Sequence, residues 1–148
     1  MQLWHKGLLC ALPARSLITL WHECCAIARN LDLIGTPNDI LVNRVTDYPL
    51  SHFYAYSVLV LEEINKRGFV SSSASFIKFE DHIFKAMEKT NDQLDDIRYD
   101  MIFYDWHNDR YFWQCIGKLE ELYDCGGISD SEWDEIEEVS VLYAYPCE

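Results

Sequence analysis

Apolar residues recur at helical spacing along most of the chain, and that pattern predicts a mainly α protein. Leu17, Leu20, Cys24, Ile27 and Ala28 form the inward stripe of a first helix running from Pro13 to about Asn30. Proline suits its opening turn, where the missing N–H has no partner to lose. Arg15, Thr19, His22 and Arg29 fall off the stripe, and Glu23 sits at its edge. Gly35-Thr36-Pro37-Asn38 reads as a turn. Asp39 to Val45 fits either a short helix or an extended segment. After the break at Asp47-Tyr48-Pro49, Ser51 is the expected N-cap of a long helix from about His52 to Arg67. Val58, Leu61, Ile64 and Tyr54 are expected to face the core, and Gly68 is the stop signal.

The second half continues in the same way. Ser71 to Ser75 reads as a short loop, and Phe76 to about Lys89 as a third helix. The acidic stretch Asn91 to Asp100 decides for neither state. Asn108 to Tyr123 is a helix with Tyr111, Cys115, Leu119 and Leu122 on one face, ended by Gly126-Gly127. Ser129 stands three residues before Glu132, as in a capping box. Val139 to Tyr145 alternates loosely and is expected to be extended. No repeat or low-complexity tract interrupts this order. The expected architecture is a compact helical bundle forming one domain over 1–148, with a core in 1–70 and an acidic helical half in 71–148.

Composition adds limits. With 148 residues, 49% of them apolar, the chain can bury a core. No apolar run approaches the ~20 residues of a membrane span, and the start of the chain lacks the basic-then-apolar layout of a secretory signal. The expectation is a soluble, cytoplasmic protein with no membrane partner. Six cysteines without metal-binding spacing read as reduced, buried thiols; a zinc site using His22, Cys25 and a distant cysteine is the lesser alternative. The net charge of -13 is segregated: residues 1–70 hold six basic and six acidic side chains, and residues 71–148 hold six basic and 19 acidic ones. Binding to DNA draws on phosphate neutralisation by Lys and Arg, so this balance disfavours a broadly basic DNA-binding surface and leaves room for a local one.

Three stretches carry a resemblance. They are Met1-Gln2-Leu3-Trp4-His5 with Leu12-Pro13 and Trp21-His22-Glu23-Cys24-Cys25-Ala26, then Glu62-Glu63-Ile64-Asn65-Lys66-Arg67-Gly68-Phe69, then His107-Asn108-Asp109-Arg110-Tyr111 with Gln114-Cys115. Together they resemble the pyrimidine-dimer DNA glycosylases of the phage endonuclease V type. The resemblance implies a helical bundle whose N-terminal segment threads beside the first helix. It implies a terminal α-amine, from Met1 or Gln2, that attacks the deoxyribose C1′ of a damaged nucleotide. The resulting imine lets the strand be cleaved by elimination, with Glu23 assisting. DNA is the implied partner, and neither metal nor cofactor is required. His5, His22, Arg15, Arg29, Lys66 and Arg67 are the candidate DNA contacts.

The sequence departs from that family at two places. Position 2 is a long Gln2 where a small residue lets the initiator methionine be removed, so Met1 is expected to stay. The residues beside Glu23 are His22, Cys24 and Cys25 in place of arginines. These departures and the segregated charge support a second reading, in which an acidic interaction protein reuses the fold and binds a basic nucleic-acid-handling partner as a DNA mimic or inhibitor. The cluster Phe103-Tyr104-Trp106-Tyr111-Phe112-Trp113 is interleaved with Asp100, Asp105 and Asp109, which favours core packing or a protein interface over base stacking.

Overall fold

The computed structural model describes residues 1–69 and 72–146. Ser71 and Cys147, which figure in the sequence reading, lie outside the described residues. Among those residues the chain is mainly α, as the periodicity predicts: five α-helices and three short 3-10 turns, with no strand. The helices are α1 (Ala14–Ile34), α2 (Leu50–Lys66), α3 (Ser73–Thr90), α4 (Asp109–Asp124) and α5 (Asp130–Ala144).

α1 begins after Pro13 and buries Leu17, Leu20, Cys24, Ile27 and Ala28, the whole of the predicted stripe. It runs four residues past the predicted end because Leu31 and Asp32 are also buried. It stops at Gly35, whose φ of 74 lets its N–H turn back to the Asn30 carbonyl. α1 and α3 pack side by side in the same direction. Trp21 meets Phe79 and donates to the Ser75 hydroxyl near one end, and Asp32 meets His82 and Lys89 near the other.

Four local expectations are corrected. Ser51 is not an N-cap: Pro49 caps α2, and Ser51 lies inside the first turn, fully buried. Its hydroxyl donates to the Gln93 carbonyl (2.9 Å) and accepts from the Asp95 N–H (2.8 Å), so it ties down the 91–98 segment. The buried stripe of α2 is Phe53, Tyr56, Val60 and Ile64. Ile64 is buried as expected, and Tyr54 and Leu61 are half-buried and pack against the core; Val58 is half-buried outside that stripe. The serine run from Ser72 to Ser75 starts α3, with Ser72 as N-cap accepting from the Ser75 N–H, and is not a loop. Val139 to Ala144 is helical: the Ser129–Glu132 capping box is formed, and α5 propagates from it beyond the loosely alternating segment.

One hydrophobic cluster runs from Leu3 to Ile136, so both charge halves contribute to it. Phe103, Trp106 and Phe112 of the aromatic cluster are in this core, whereas Tyr104 and Trp113 remain exposed. The N-terminal arm, residues 1–13, is fastened at every turn. The Tyr56 hydroxyl donates to the Trp4 carbonyl (2.6 Å), and the Arg67 guanidinium donates to the Leu9 (3.0 Å) and Leu12 (2.7 Å) carbonyls. No helix among the described residues is long and apolar enough to cross a membrane.

Candidate active site

The arm delivers the first two main-chain nitrogens to two carboxylates. The backbone N–H of Gln2 donates to Glu23 Oε2 at 3.1 Å, from the middle of α1. The α-ammonium of Met1 lies 3.0 Å from Asp39 Oδ2, in the turn that follows α1. Asp39 also accepts from the Leu41 N–H at 2.9 Å; that bond first, and then the Met1 ammonium, hold its carboxyl below the usual carboxylate range.

Gln2 does not block this arrangement, because its side chain points to α4. Its Nε2 donates to the Tyr111 hydroxyl (2.8 Å), and its Oε1 accepts from Lys118 Nζ (2.6 Å). Tyr111 in turn donates to the Leu3 carbonyl. Tyr111, Cys115 and Lys118 sit at i, i+4 and i+7, so one face of α4 grips the residue that bears the nitrogen facing Glu23. Burial pushes the Tyr111 hydroxyl far up, which keeps it a neutral donor.

A cleft of about 440 Å³ opens on this contact. Gln2, Glu23, Thr19 and Arg15 line one side, and Leu122 and Ile128 close the other. Glu23 is half-buried at its wall. Arg15 reaches the cleft but is already engaged: its guanidinium lies 3.1 Å from the Glu132 carboxylate of α5 and donates to the Gly127 carbonyl. The acidic half therefore builds the far wall.

The structure thus brings together Met1, Gln2, Glu23 and Arg15. The other candidates are elsewhere. His22 and Arg29 are exposed farther round α1. His5 is only 3% exposed; its Nδ1 accepts from the Gly7 N–H (3.0 Å) and its Nε2 donates to the His107 carbonyl (3.1 Å). Burial lowers the His5 pKa to about 4. Lys66 lies with Lys6 and Cys10 along α2, and Arg67 is committed to Glu63 and the arm. No group of three or more His, Cys, Asp or Glu among the described residues is arranged to hold a metal ion. Asp39, Tyr111 and Lys118 also border the site, and nothing local in the sequence marks them. Tyr111 and Cys115 share a face by helical spacing, but what that face meets depends on the path of the arm.

A protein-family model described as pyrimidine dimer DNA glycosylase matches residues 1–76. That span holds the arm, Glu23, Asp39 and α2, and ends just inside α3. No curated protein and no solved structure matches the chain.

Proposed function

The chain belongs to the pyrimidine dimer DNA glycosylase family, and we propose from that premise that it is a DNA glycosylase with abasic-site lyase activity. The single observation carrying this reading is the 3.1 Å contact between the residue 2 nitrogen and Glu23 at the mouth of a cleft.

In a chain that starts at residue 2, that nitrogen is a primary amine; while Met1 precedes it, as the long Gln2 side chain leads one to expect of an unprocessed chain, it is an amide and not nucleophilic, so the chemistry requires removal of Met1. A free α-amine titrates near 7.7–8.0, so a useful fraction is neutral at pH 7. Its lone pair attacks C1′ of the deoxyribose as the C1′–base bond breaks and the base leaves with a proton. Ring opening follows when O4′ takes a proton and the C1′–nitrogen bond becomes an iminium. Loss of a C2′ proton then expels the 3′ phosphate. Glu23, against the nitrogen, is placed to stabilise the cation and to move protons between the amine, O4′ and C2′. Arg15 is placed to meet a phosphate once Glu132 lets it go.

Borohydride trapping on abasic-site duplex tests this, with chains beginning at Met1 and at Gln2 and mass spectrometry confirming an uncyclised terminal amine. The Gln2 chain should give a covalent adduct that Glu23→Gln reduces at least a hundredfold in rate, the usual scale of general acid–base assistance. Absence of an adduct from both chains would overturn the lyase chemistry.

A second reading is supported by Glu132 holding Arg15 in the way a phosphate would. With Asp134, Glu135, Glu137 and Glu138 exposed on α5, the acidic half then serves as a DNA-like surface for a basic partner. Capture of a partner that DNA fails to displace would remove it.

A further inference from the structure

α3 belongs to the acidic half, yet one of its faces is positive. Lys78, His82, Lys85 and Lys89 recur at i, i+4, i+7 and i+11, a single stripe about 16 Å long at helical rise. Arg29 of α1 joins it, because α1 and α3 run together: Arg29, Lys78 and His82, with Cys25, Ser75 and Phe79, line a shallow depression of about 250 Å³.

Two of the three carboxylates on this face are occupied, and the third, Glu88, stands at the far end from Lys78. Asp32 is 6% exposed and already receives Lys89 (2.7 Å) and His82 Nδ1 (2.8 Å). Asp81 receives Lys85 (2.9 Å). Arg29 and Lys78 are exposed and make no ion pair with another described residue. The face therefore carries four fixed cations against three carboxylates, Asp32, Asp81 and the exposed Glu88 beside Lys85 and Lys89, in a molecule of net charge -13; the uncompensated charge lies at the Arg29–Lys78 end. α1 extends the same character toward the cleft. Arg15, His22 and Arg29 stand seven residues apart, nearly two turns, so they share one side of the helix at intervals of about 10 Å.

We propose that this α1–α3 face binds the phosphodiester backbone of duplex DNA outside the Glu23 cleft; the inference takes from the proposed function only that the ligand is DNA. Elsewhere the acidic surface repels phosphates over about 8 Å in physiological salt. A local positive face then sets both affinity and the direction from which a duplex lies down. Exposed Arg29 and Lys78 are the side chains free to neutralise phosphates, since Lys85 and Lys89 are already paired.

The test is fluorescence anisotropy with an undamaged labelled duplex, titrated with salt. Arg29→Ala with Lys78→Ala should weaken binding about tenfold or more and flatten the log–log salt slope by about two, one for each lost phosphate contact. Arg98→Ala, in the segment after α3, should change neither. Unchanged affinity and slope in the double variant would overturn the proposal, as would failure of the unaltered chain to bind duplex at low salt. A flattened slope in a protein that forms no trapped adduct would uphold this face while refuting the lyase reading. Both substituted side chains are exposed, and matching urea midpoints would confirm an intact fold.

Discussion

Lowering the pH from 7 to 5 is expected to destabilise the folded chain by about 2 kcal/mol through His5 alone. His5 anchors the arm: it caps the 6–11 turn, its ring stacks on His107 at 5.1 Å, and both its nitrogens are in hydrogen bonds. Because Nδ1 accepts from Gly7, a second proton has no place without breaking that bond, and it would arrive beside Lys6. Burial accordingly lowers the folded pKa to about 4 from an ordinary 6.5. The unfolded chain therefore binds more protons between those values, and stability rises with pH across that window. At pH 5 the unfolded ring is almost wholly protonated and the folded ring mostly neutral, a gap of about 1.5 pH units at 1.36 kcal/mol each. At pH 7 both forms are mainly neutral and the term is small. Asp32, Asp39 and Glu132, whose carboxyls are held low, contribute only at more acid pH, so the window belongs to histidines. Urea unfolding at both pH values measures the effect, a midpoint shift of about 1 M for a slope of about 2 kcal/mol/M. His5→Gln keeps an acceptor and a donor without the titration. It should lose about 2 kcal/mol less between pH 7 and 5, the remainder coming from His107 and His52, which burial shifts the same way. Equal losses in the two proteins would refute the reasoning.

Two further predictions concern the arm and the long loop. Tyr111→Phe removes the hydroxyl that holds both Leu3 and Gln2, and should cost about 1–3 kcal/mol in urea unfolding; it should also slow borohydride trapping while leaving duplex affinity unchanged, since no phosphate contact is lost. Ser51→Ala strips the buried hydroxyl from Gln93 and Asp95, and should cost about 1–3 kcal/mol while raising hydrogen exchange at the Asp95 amide.

The fold was legible where local signals dominate. The α1 stripe, the Gly68 stop and the Ser129–Glu132 box each depend on residues within a turn or two, and each is found in the structure. Errors arose where a long-range contact outweighed a local one. Ser51 has N-cap chemistry, but its hydroxyl serves residues more than forty positions away. Val139 to Tyr145 has a weak local preference that the preceding capped helix overrides. Glu23 stands out in the sequence only through the resemblance of the Trp21–Ala26 stretch to the family. That it meets the residue 2 nitrogen, and that Asp39 meets the residue 1 nitrogen, depends on how the arm is held by Tyr56, Arg67 and Tyr111. None of those contacts follows from periodicity.

Charge summed along the sequence and charge laid out on the surface lead to different conclusions. The sum assigns α3 to an acidic half that should repel DNA. The layout separates two sides of the Glu23 cleft. On one, α5 supplies Glu132, which neutralises Arg15, and α4 and its following turn supply the apolar Leu122 and Ile128. On the other, α1 carries His22 and Arg29 toward Lys78 of α3, and both Asp32 and Asp81 are already paired. A duplex engaging the cleft under the proposed function therefore lies along α1 and α3 and away from α5. Its phosphate competes with Glu132 for Arg15 only at the cleft itself. That competition is between exposed groups and is worth no more than about 1 kcal/mol, so the acidic helix limits how the duplex is oriented more than it limits how tightly it is held.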